Sequence, residues 1–304
     1  MRCLVTGGAG FIGSNLALAL QGKNHEVVVL DDFDSGSRNN LSGFEGEIIE
    51  ADIRKYDWSK SNVDAVFHQA AITGVVNPRD GSAVPDDLIM SVNLEASKKI
   101  FSYCSKRNIP FIYASSAATY GMAPAPTKEG DAGHPTNAYG VSKWLFDKFV
   151  MEQQAENLVV GLRYFNVFGP RERCKGKLAS MVFQLMQQML AGGRPRIFKN
   201  GEQKRDQVYV KDAVRATLLD LDAKENLIVN VGSGEAVTFN RIVSALNAAL
   251  GTNLEPEYID NPYTQFYQTH TQADLTLAKA KLKYEPEWKF EAAVKNYVME
   301  ECGC

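Results

Sequence analysis

The sequence predicts an α/β protein in which helices cover both faces of a doubly wound parallel sheet. Two features in the first half of the 304-residue chain lead to this fold class: short runs that are apolar throughout, and stretches of helical pattern that separate them. Strands without an apolar–polar alternation are buried on both faces, which requires a layer of helices on each side. The main runs and the longest helical stretch are RCLVTG, EVVVLDD, AVFHQA, FIYASS and DDLIMSVNLEASKKIFSYCSKRN.

The second half is less regular. A further apolar run, Leu158–Gly169, leads into a polar loop. A helical pattern stopped by two glycines, LASMVFQLMQQMLAGG, and a second one, TFNRIVSALNAALG, follow. No linker or repeat separates the halves, so we expect a smaller α/β lobe that is interleaved with the parallel sheet.

Composition and charge exclude several classes of function. The net charge is −3, and no run of Lys and Arg indicates a nucleic-acid or membrane surface. No apolar segment approaches the roughly 18 residues of a membrane span, and MRCLVTGGAGFIG does not resemble a signal peptide. The five cysteines indicate reduced thiols, and the terminal CGC lacks the further ligands of a metal site. We therefore expect a cytoplasmic protein without a metal ion and without nucleic-acid or membrane partners.

A glycine-rich turn, VTGGAGFIGSN, lies between the first predicted strand and the first predicted helix. Gly8, Gly10 and Gly13 satisfy G-x-G-x-x-G, and Gly7 with the last two satisfies G-x-x-G-x-x-G. Such glycines allow a tight turn, a close approach of a pyrophosphate to the backbone and close packing of the helix on the strand. The helix N-terminus then offers free N–H groups to the phosphates. The pattern predicts a dinucleotide-binding Rossmann domain.

The end of the second predicted strand indicates which dinucleotide binds. Asp31 lies 18 positions after Gly13, where a carboxylate accepts hydrogen bonds from the adenosine ribose. Asp31 and Asp32 would repel a 2′-phosphate, so we expect NAD; Arg38 nearby is the reason to keep NADP as the alternative. Asp52 is expected at the adenine edge.

The stretch from Asn137 to Val150 has a helical pattern that places Tyr139 and Lys143 on one face. A lysine ammonium near a tyrosine favours the phenolate, which can act as a base at a sugar hydroxyl. A serine of YASSAATYG, at the end of a predicted strand, can hydrogen-bond the same substrate oxygen.

In this order, the motifs resemble the extended short-chain dehydrogenase/reductase superfamily, and within it the NAD-dependent epimerase/dehydratase family, over essentially the whole chain. The resemblance implies Ser116 as the catalytic serine, Tyr139 as the acid/base and Lys143 as its electrostatic partner. His68 is expected to be structural. The implied cofactor contacts are Gly7, Gly10, Phe11, Ile12, Gly13, Asp31, Asp32, Asp52, Ile53, Gln69, Ala70, Ala71, Tyr139 and Lys143. The implied substrate contacts are Asn93, Ser115, Asn166, Arg205 and Tyr267.

The domain boundaries follow from these assignments. We expect residues 1–165 to form the dinucleotide-binding domain, with contributions from about 206–232. Residues 166–205 and 233–304 are expected to form the substrate-binding lobe.

The residues after ASS indicate the reaction. Dehydratases of this superfamily carry acids at this turn, whereas Ala117 and Ala118 stand here, which favours an epimerase. The expected reaction is a transient, NAD-dependent oxidation of a sugar carbinol and its re-reduction on the other face. The expected partners are a nucleotide-diphosphate sugar and further copies of the chain in a homo-oligomer.

The second half resembles the ADP-L-glycero-D-manno-heptose 6-epimerases in RYFNVFGPRERCKGKLAS, KRDQVYVKD and YQTHTQADL. This resemblance implies Lys175 as a second proton-transfer group that faces Tyr139. Asn166 and Arg205 match positions that hold the diphosphate in relatives, and Phe266 replaces a typical arginine. The alternative is a UDP-glucose or UDP-N-acetylglucosamine 4-epimerase. A nucleotide-sugar dehydratase or reductase and a non-catalytic NAD-binding regulator are weaker alternatives.

Overall fold

The computed structural model describes residues 1–77, 80–262 and 267–303. In these ranges the strands are β1 (Arg2–Thr6), β2 (Glu26–Asp31), β3 (Glu47–Glu50), β4 (Ala65–His68), β5 (Phe111–Ser116), β6 (Val159–Tyr164), β7 (Asn166–Phe168), β8 (Arg196–Phe198), β9 (Lys204–Tyr209), β10 (Leu227–Val231), β11 (Ala236–Thr238) and β12 (Glu257–Ile259). The α-helices are α1 (Phe11–Gly22), α2 (Asp86–Met90), α3 (Ser97–Lys106), α4 (Ala138–Glu152), α5 (Met181–Leu190), α6 (Val210–Leu219), α7 (Phe239–Leu250), α8 (Thr276–Leu282) and α9 (Phe290–Cys302).

The central sheet has seven strands in the order β10-β6-β5-β4-β1-β2-β3. All of its pairings are parallel. The chain runs outward from β1 to β3 on one side and then returns to β4 on the other side. This reversal creates a crevice at the carboxyl ends of β1 and β4, where doubly wound folds bind ligands. The predicted fold class is confirmed.

The central strands are buried on both faces, as their apolar runs predict. Along β2, Val27 and Val29 join one large hydrophobic cluster, whereas Val28 and Leu30 join another. The first cluster also contains Leu16 of α1, and the second contains residues of α3 and α4. Successive side chains of a strand point to opposite faces, so each helical layer receives half of every strand.

The smaller lobe contains two further sheets. One has the order β11-β9-β7, and the other pairs β12 with β8. The apolar run Leu158–Gly169 forms two strands rather than one, because β6 belongs to the central sheet and β7 belongs to the lobe. Within the stretch 206–232, the end of β9 lies in the lobe and β10 returns to the central sheet. The two parts of the chain are therefore interleaved.

The long helical stretch before β5 has three parts. A π-helical segment, Ser91–Ala96, separates α2 from α3. A π-helical turn inserts a residue into the helix and re-aims the side chains around it, and such turns are frequent at functional sites. This one carries Asn93, whose side chain reaches the chain segment after β4.

A helix that crosses a membrane must be both long and apolar. Within residues 1–77, 80–262 and 267–303, none of the helices meets both requirements.

The glycine turn is tight at two positions. Gly7 has φ = 66°, in the left-handed region that favours glycine. A Cβ atom on Gly13 would lie 2.1 Å from the carbonyl oxygen of Gly7, so α1 can start this close to the turn only without a side chain there. The amide of Gly10 donates to the same carbonyl at 3.1 Å.

We therefore expect Gly13→Ala to push α1 away from the turn. The cost should resemble core overpacking, about 1–3 kcal/mol of unfolding free energy, and NAD affinity should fall. Thermal unfolding and NAD titration measure both effects. Gly22→Ala, at the other end of α1, meets no atom within 4 Å and is the matched control. Wild-type NAD binding by Gly13→Ala would contradict the assigned role of this turn.

Candidate active site

A cavity of about 1100 Å³ runs along the carboxyl ends of the central strands. One wall contains the glycine turn and residues at or just after the ends of β2, β4, β5 and β6, and the other contains residues of β8 and β9. The cavity therefore lies at the reversal of strand order and is closed by the smaller lobe. Its size suits a dinucleotide beside a second ligand.

The predicted cofactor residues come together here. All of those named from the sequence line the cavity. The structure adds residues that the sequence analysis missed, in the loop after β2 and beside Asp52: Asp34, Ser35, Gly36 and Arg54. Gly36, in the turn that follows the acidic end of β2, is the sequence feature from which this loop could have been predicted.

Asp31 is held in place by the backbone. Its Oδ2 accepts from the amide of Ala9 at 2.9 Å, and its Oδ1 accepts from the amide of Phe33 at 2.8 Å. Burial raises the pKa of Asp31, the two amides oppose that shift, and Asp32 adds to it. Each oxygen retains acceptor capacity for a ribose hydroxyl. The glycine turn has no Cβ atoms in the way of a pyrophosphate, and the oriented carboxylate of Asp31 suits an adenosine ribose. These residues therefore fit NAD.

Arg38, the residue that favours NADP, has other partners. Its guanidinium forms an ion pair with Glu50 and lies 4.3 Å from the centre of the Phe33 ring. Asp52 pairs with Arg54 at 2.6 Å, and the hydrogen bonds from Arg54 lower the pKa of the Asp52 carboxyl.

Tyr139 and Lys143 lie in the first turns of α4. Asn137 caps this helix, because its Oδ1 accepts from the amide of Gly140 at 2.8 Å. Burial raises the pKa of Tyr139, and a hydrogen bond with Ser116 opposes that shift. Ser116 ends β5, and its Oγ also accepts from the amide of Ala118 at 3.1 Å.

Lys143 is 5% exposed, and its Nζ donates to the carbonyl of Ala114 at 2.8 Å. Burial lowers the pKa of Lys143 to about 8, and the charge of Asp147 opposes that shift. Ser116, Tyr139 and Lys143 thus meet at one place on the cavity wall, with the serine and tyrosine hydroxyls joined. This arrangement can move a proton at a substrate hydroxyl.

Beneath this trio lies a buried ion pair that the sequence analysis missed. Arg163 Nε donates to Asp147 Oδ2 at 2.8 Å, and the two side chains are almost fully buried. Ser115 donates to the same carboxylate at 2.9 Å, and Tyr113 donates to it at 3.0 Å. Asp147 and Arg163 stand within the otherwise apolar patterns of α4 and β6, and this position is the sequence feature that could have predicted the pair. Ser115, predicted as a substrate contact, lines the cavity with its hydroxyl engaged by Asp147.

Asn93 is 1% exposed and does not line the cavity, although the sequence predicts a substrate contact there. Its Oδ1 accepts from the amide of Ile72 at 2.9 Å, and its Nδ2 donates to the carbonyl of Ile72 at 2.9 Å. The same Nδ2 donates to Ser142 Oγ at 3.1 Å. The amide therefore ties the segment after β4 to α4 and acts on the site by fixing its wall.

His68 is neutral and structural in this fold. Thr6 and Ser97 hydroxyls lie 2.7 Å and 2.8 Å from its ring nitrogens, and burial lowers its pKa to about 3.

The lobe contributes Asn166, Arg205 and Tyr267, the residues expected to contact the substrate, and all three line the cavity. The guanidinium of Arg205 lies 5.1 Å from the centre of the Tyr267 ring. Burial lowers the pKa of Arg205, and Tyr267 opposes that shift. In the register of β7 and β9, Asn166 stands opposite Gln207, a further lining residue that the sequence analysis did not name. Phe266 lies outside the described residues.

Lys175 lines the same cavity from the loop between β7 and α5. Its Nζ lies 5.5 Å from the centre of the Phe11 ring, at the start of α1. Burial lowers the pKa of Lys175, and the charge of Glu172 opposes that shift. The structure therefore brings a second titratable group to the cavity that Tyr139 lines.

The sequence profile described as "NAD dependent epimerase/dehydratase family" matches residues 3–232. The chain belongs to this family. The prediction of an epimerase/dehydratase family member that uses NAD is confirmed.

Solved structures of other family members superpose along the whole chain. ADP-L-glycero-D-manno-heptose-6-epimerase of Helicobacter pylori has 38% identity and a TM-score of 0.92, over 100% of this chain and 96% of that one. UDP-N-acetylglucosamine 4-epimerase of Methanobrevibacter ruminantium has 31% identity and a TM-score of 0.91, over 99% and 98%. UDP-glucose 4-epimerase of Thermotoga maritima has 31% identity and a TM-score of 0.90, over 100% and 99%.

The shifted pKa of Lys143 predicts a pH-dependent stability. The unfolded chain holds this lysine at its ordinary pKa of 10.5, whereas the folded value is about 8. The buried charge therefore lowers the free energy of unfolding by its full amount below about pH 8. This penalty disappears as the pH rises to about 10.5. Lys143→Met should raise the unfolding free energy at pH 7 by up to roughly 3 kcal/mol.

Chemical denaturation of wild type and Lys143→Met at pH 7 and pH 10 measures this difference, which should shrink at pH 10. Lys148→Met, an exposed position on the same helix, should show no such pH dependence. A difference in unfolding free energy that is the same at both pH values, or a loss of stability at pH 7, would contradict the buried-charge interpretation.

Proposed function

We propose that the protein is an epimerase of a nucleotide-diphosphate sugar, most like ADP-L-glycero-D-manno-heptose 6-epimerase. The observation that carries this proposal is the presence of two proton-transfer groups, Tyr139 and Lys175, on one cavity that the cofactor residues also line. Inversion through a ketone needs proton transfer at both faces of the reacting carbon, and two separate groups suit that task.

Tyr139 is proposed to exchange the proton of the reacting hydroxyl. Bound NAD supplies the reversible oxidation of the sugar carbinol to a ketone. Lys143 holds a positive charge beneath the site and favours the phenolate of Tyr139. Ser116, already hydrogen-bonded to that phenol, orients the same substrate oxygen. Because Lys143 is anchored on Ala114, its charge stays at a fixed distance from the reacting atoms.

Lys175 is proposed to serve the other face of the ketone. Burial makes its ammonium a better proton donor than a lysine in water, since the lowered pKa brings it closer to neutral pH. The resemblance to the heptose epimerases implies the same proton-transfer role for Lys175. Arg205 and Asn166 are proposed to hold the diphosphate, to which an arginine can donate two parallel hydrogen bonds.

A UDP-glucose or UDP-N-acetylglucosamine 4-epimerase is the second candidate. The similarity to two UDP-sugar 4-epimerases, each at 31% identity and nearly full length, favours it. In that reaction the ketosugar turns over, and Tyr139 alone can serve both faces. A dehydratase is disfavoured because Ala117 and Ala118 offer no acid after β5. A non-catalytic regulator is disfavoured because Ser116, Tyr139 and Lys143 are all present.

We further propose that the enzyme is a homo-oligomer and works in the cytoplasm.

Turnover of a panel of ADP-, UDP- and GDP-sugars, followed by NMR of the sugar, tests the proposal. We expect epimerisation of an ADP-heptose by the wild type. Tyr139→Phe should lose it by on the order of 10²–10⁴-fold in rate, because general acid/base catalysis is removed, while retaining NAD. Exclusive turnover of a UDP-hexose would select the second candidate. Near-normal activity of Tyr139→Phe would refute the assigned mechanism.

Lys175→Met separates the two mechanisms. If Lys175 is the second proton-transfer group, epimerisation should be lost while reduction of bound NAD by substrate, which needs only Tyr139, persists. If it only attracts the diphosphate, kcat should stay normal and KM should rise about 10–150-fold, the equivalent of a charge-assisted hydrogen bond. Steady-state kinetics and absorbance at 340 nm distinguish these results. Lys177→Met is the matched control, since Lys177 is an exposed lysine of the same loop.

A further inference from the structure

Asn40 joins two loops that the proposed reaction uses. The residue is only 6% exposed. Its Nδ2 lies 3.1 Å from the carbonyl oxygen of Ala9, 3.0 Å from that of Arg171 and 3.2 Å from the sulfur of Cys174. Ala9 belongs to the glycine turn of the cofactor, whereas Arg171 and Cys174 belong to the loop that carries Lys175. One buried amide therefore donates to both loops.

A second set of hydrogen bonds between the glycine turn and the Lys175 loop lies beside the first. Nδ2 of Asn15 donates to the carbonyl of Pro170 at 3.0 Å and to that of Phe11 at 2.9 Å. Nε of Arg171 donates back to the carbonyl of Asn40 at 3.1 Å. Phe11 is also the residue whose ring lies under Lys175. The start of the Lys175 loop is thus docked on the glycine turn at several points.

The Lys175 loop needs such anchoring. Arg171 has φ = 74° and Gly176 has φ = 49°, so left-handed residues stand on either side of Lys175. A non-glycine residue persists in this region only where its surroundings hold it there. The Lys175 ammonium is in addition drawn out of water. Strain and desolvation would both release the loop toward solvent unless other contacts oppose it.

We propose that Asn40 is a positioning residue that holds Lys175 against the cofactor turn. Asn40 lies outside the cavity lining and acts through the carbonyls of Ala9 and Arg171. The side-chain amide of Asn40 is also linked to the cofactor site, because it donates to the carbonyl of Ala9, whose own N–H donates to Asp31. The inference rests on the proposed function, in which Lys175 transfers a proton.

Asn40→Ala removes the donor that links the carbonyls of Ala9 and Arg171, while Ala9 keeps its hydrogen bond from the amide of Ser37 at 3.0 Å. We expect kcat for epimerisation to fall about 10–100-fold, the size of a loss caused by misplacing a reacting group by about 1 Å. Reduction of bound NAD by substrate should stay within about threefold of wild type, because it uses Tyr139. Asn39→Ala, the exposed neighbour of the same type, is the matched control and should leave both activities unchanged.

A double-mutant cycle shows whether Asn40 acts through Lys175. In a Lys175→Met background, Asn40→Ala should cause no further loss of the residual epimerisation rate, since the group it positions is already gone. Equal additional losses in both backgrounds would overturn the proposal. A parallel fall of epimerisation, NAD reduction and NAD affinity would also overturn it, because that pattern marks a merely structural residue.

Asn15→Ala keeps the test decisive if Asn40→Ala does not fold. Asn15 is only partly buried, and its loss removes the docking at Pro170 without a deep cavity. The same selective loss of epimerisation is expected, to a smaller extent, and its absence would count against the docking. Failure of the wild type on every nucleotide sugar would instead refute the proposed function. Normal wild-type turnover with an unaffected Asn40→Ala would refute only the present inference.

Discussion

The buried ion pair between Asp147 and Arg163 is the interaction on which the arrangement of the active site depends. Two charges removed from water are stabilising only when their remaining hydrogen-bonding capacity is satisfied. Tyr113 and Ser115 donate to Asp147, and Tyr120 accepts from Arg163 at 3.2 Å. These contacts join α4 to β5 and β6. The helix can therefore present its catalytic face to the end of β5 in only one orientation.

The glycine turn is the second shared element. It lines the cavity on one side, and on the other side the carbonyl of Ala9 accepts from Asn40. The loop of Lys175 is consequently built on the same turn as the cofactor site, although the two are far apart in the chain. At the far end of this loop, Glu172 accepts from the amide of Gly169 at 3.1 Å and from Ser180 Oγ at 2.8 Å. A group placed in this way is held to the glycine turn as well as to the smaller lobe.

Much of the fold and most of the site could be predicted from the sequence because the signals are local. The apolar runs report burial on both faces, and the spacing of Gly7, Gly10 and Gly13 reports a turn that α1 must approach closely. The division of Leu158–Gly169 into two strands could not be predicted, since both halves are apolar and only their partners differ. The family resemblance named Asn93 as a substrate contact, and only the structure shows that its side-chain amide is bonded to the backbone of Ile72.

The sequence by itself determined the fold class and the family, and it predicted the cofactor turn and the Ser116–Tyr139–Lys143 set, because each depends on residues a few positions apart or on a recurring motif. Only the tertiary structure decided which distant residues support that set. Asp147 and Arg163 are 16 positions apart, and Asn40 and Arg171 are 131 apart. Such contacts leave no periodic trace in a single chain, because they follow from strand order and loop docking rather than from local conformation.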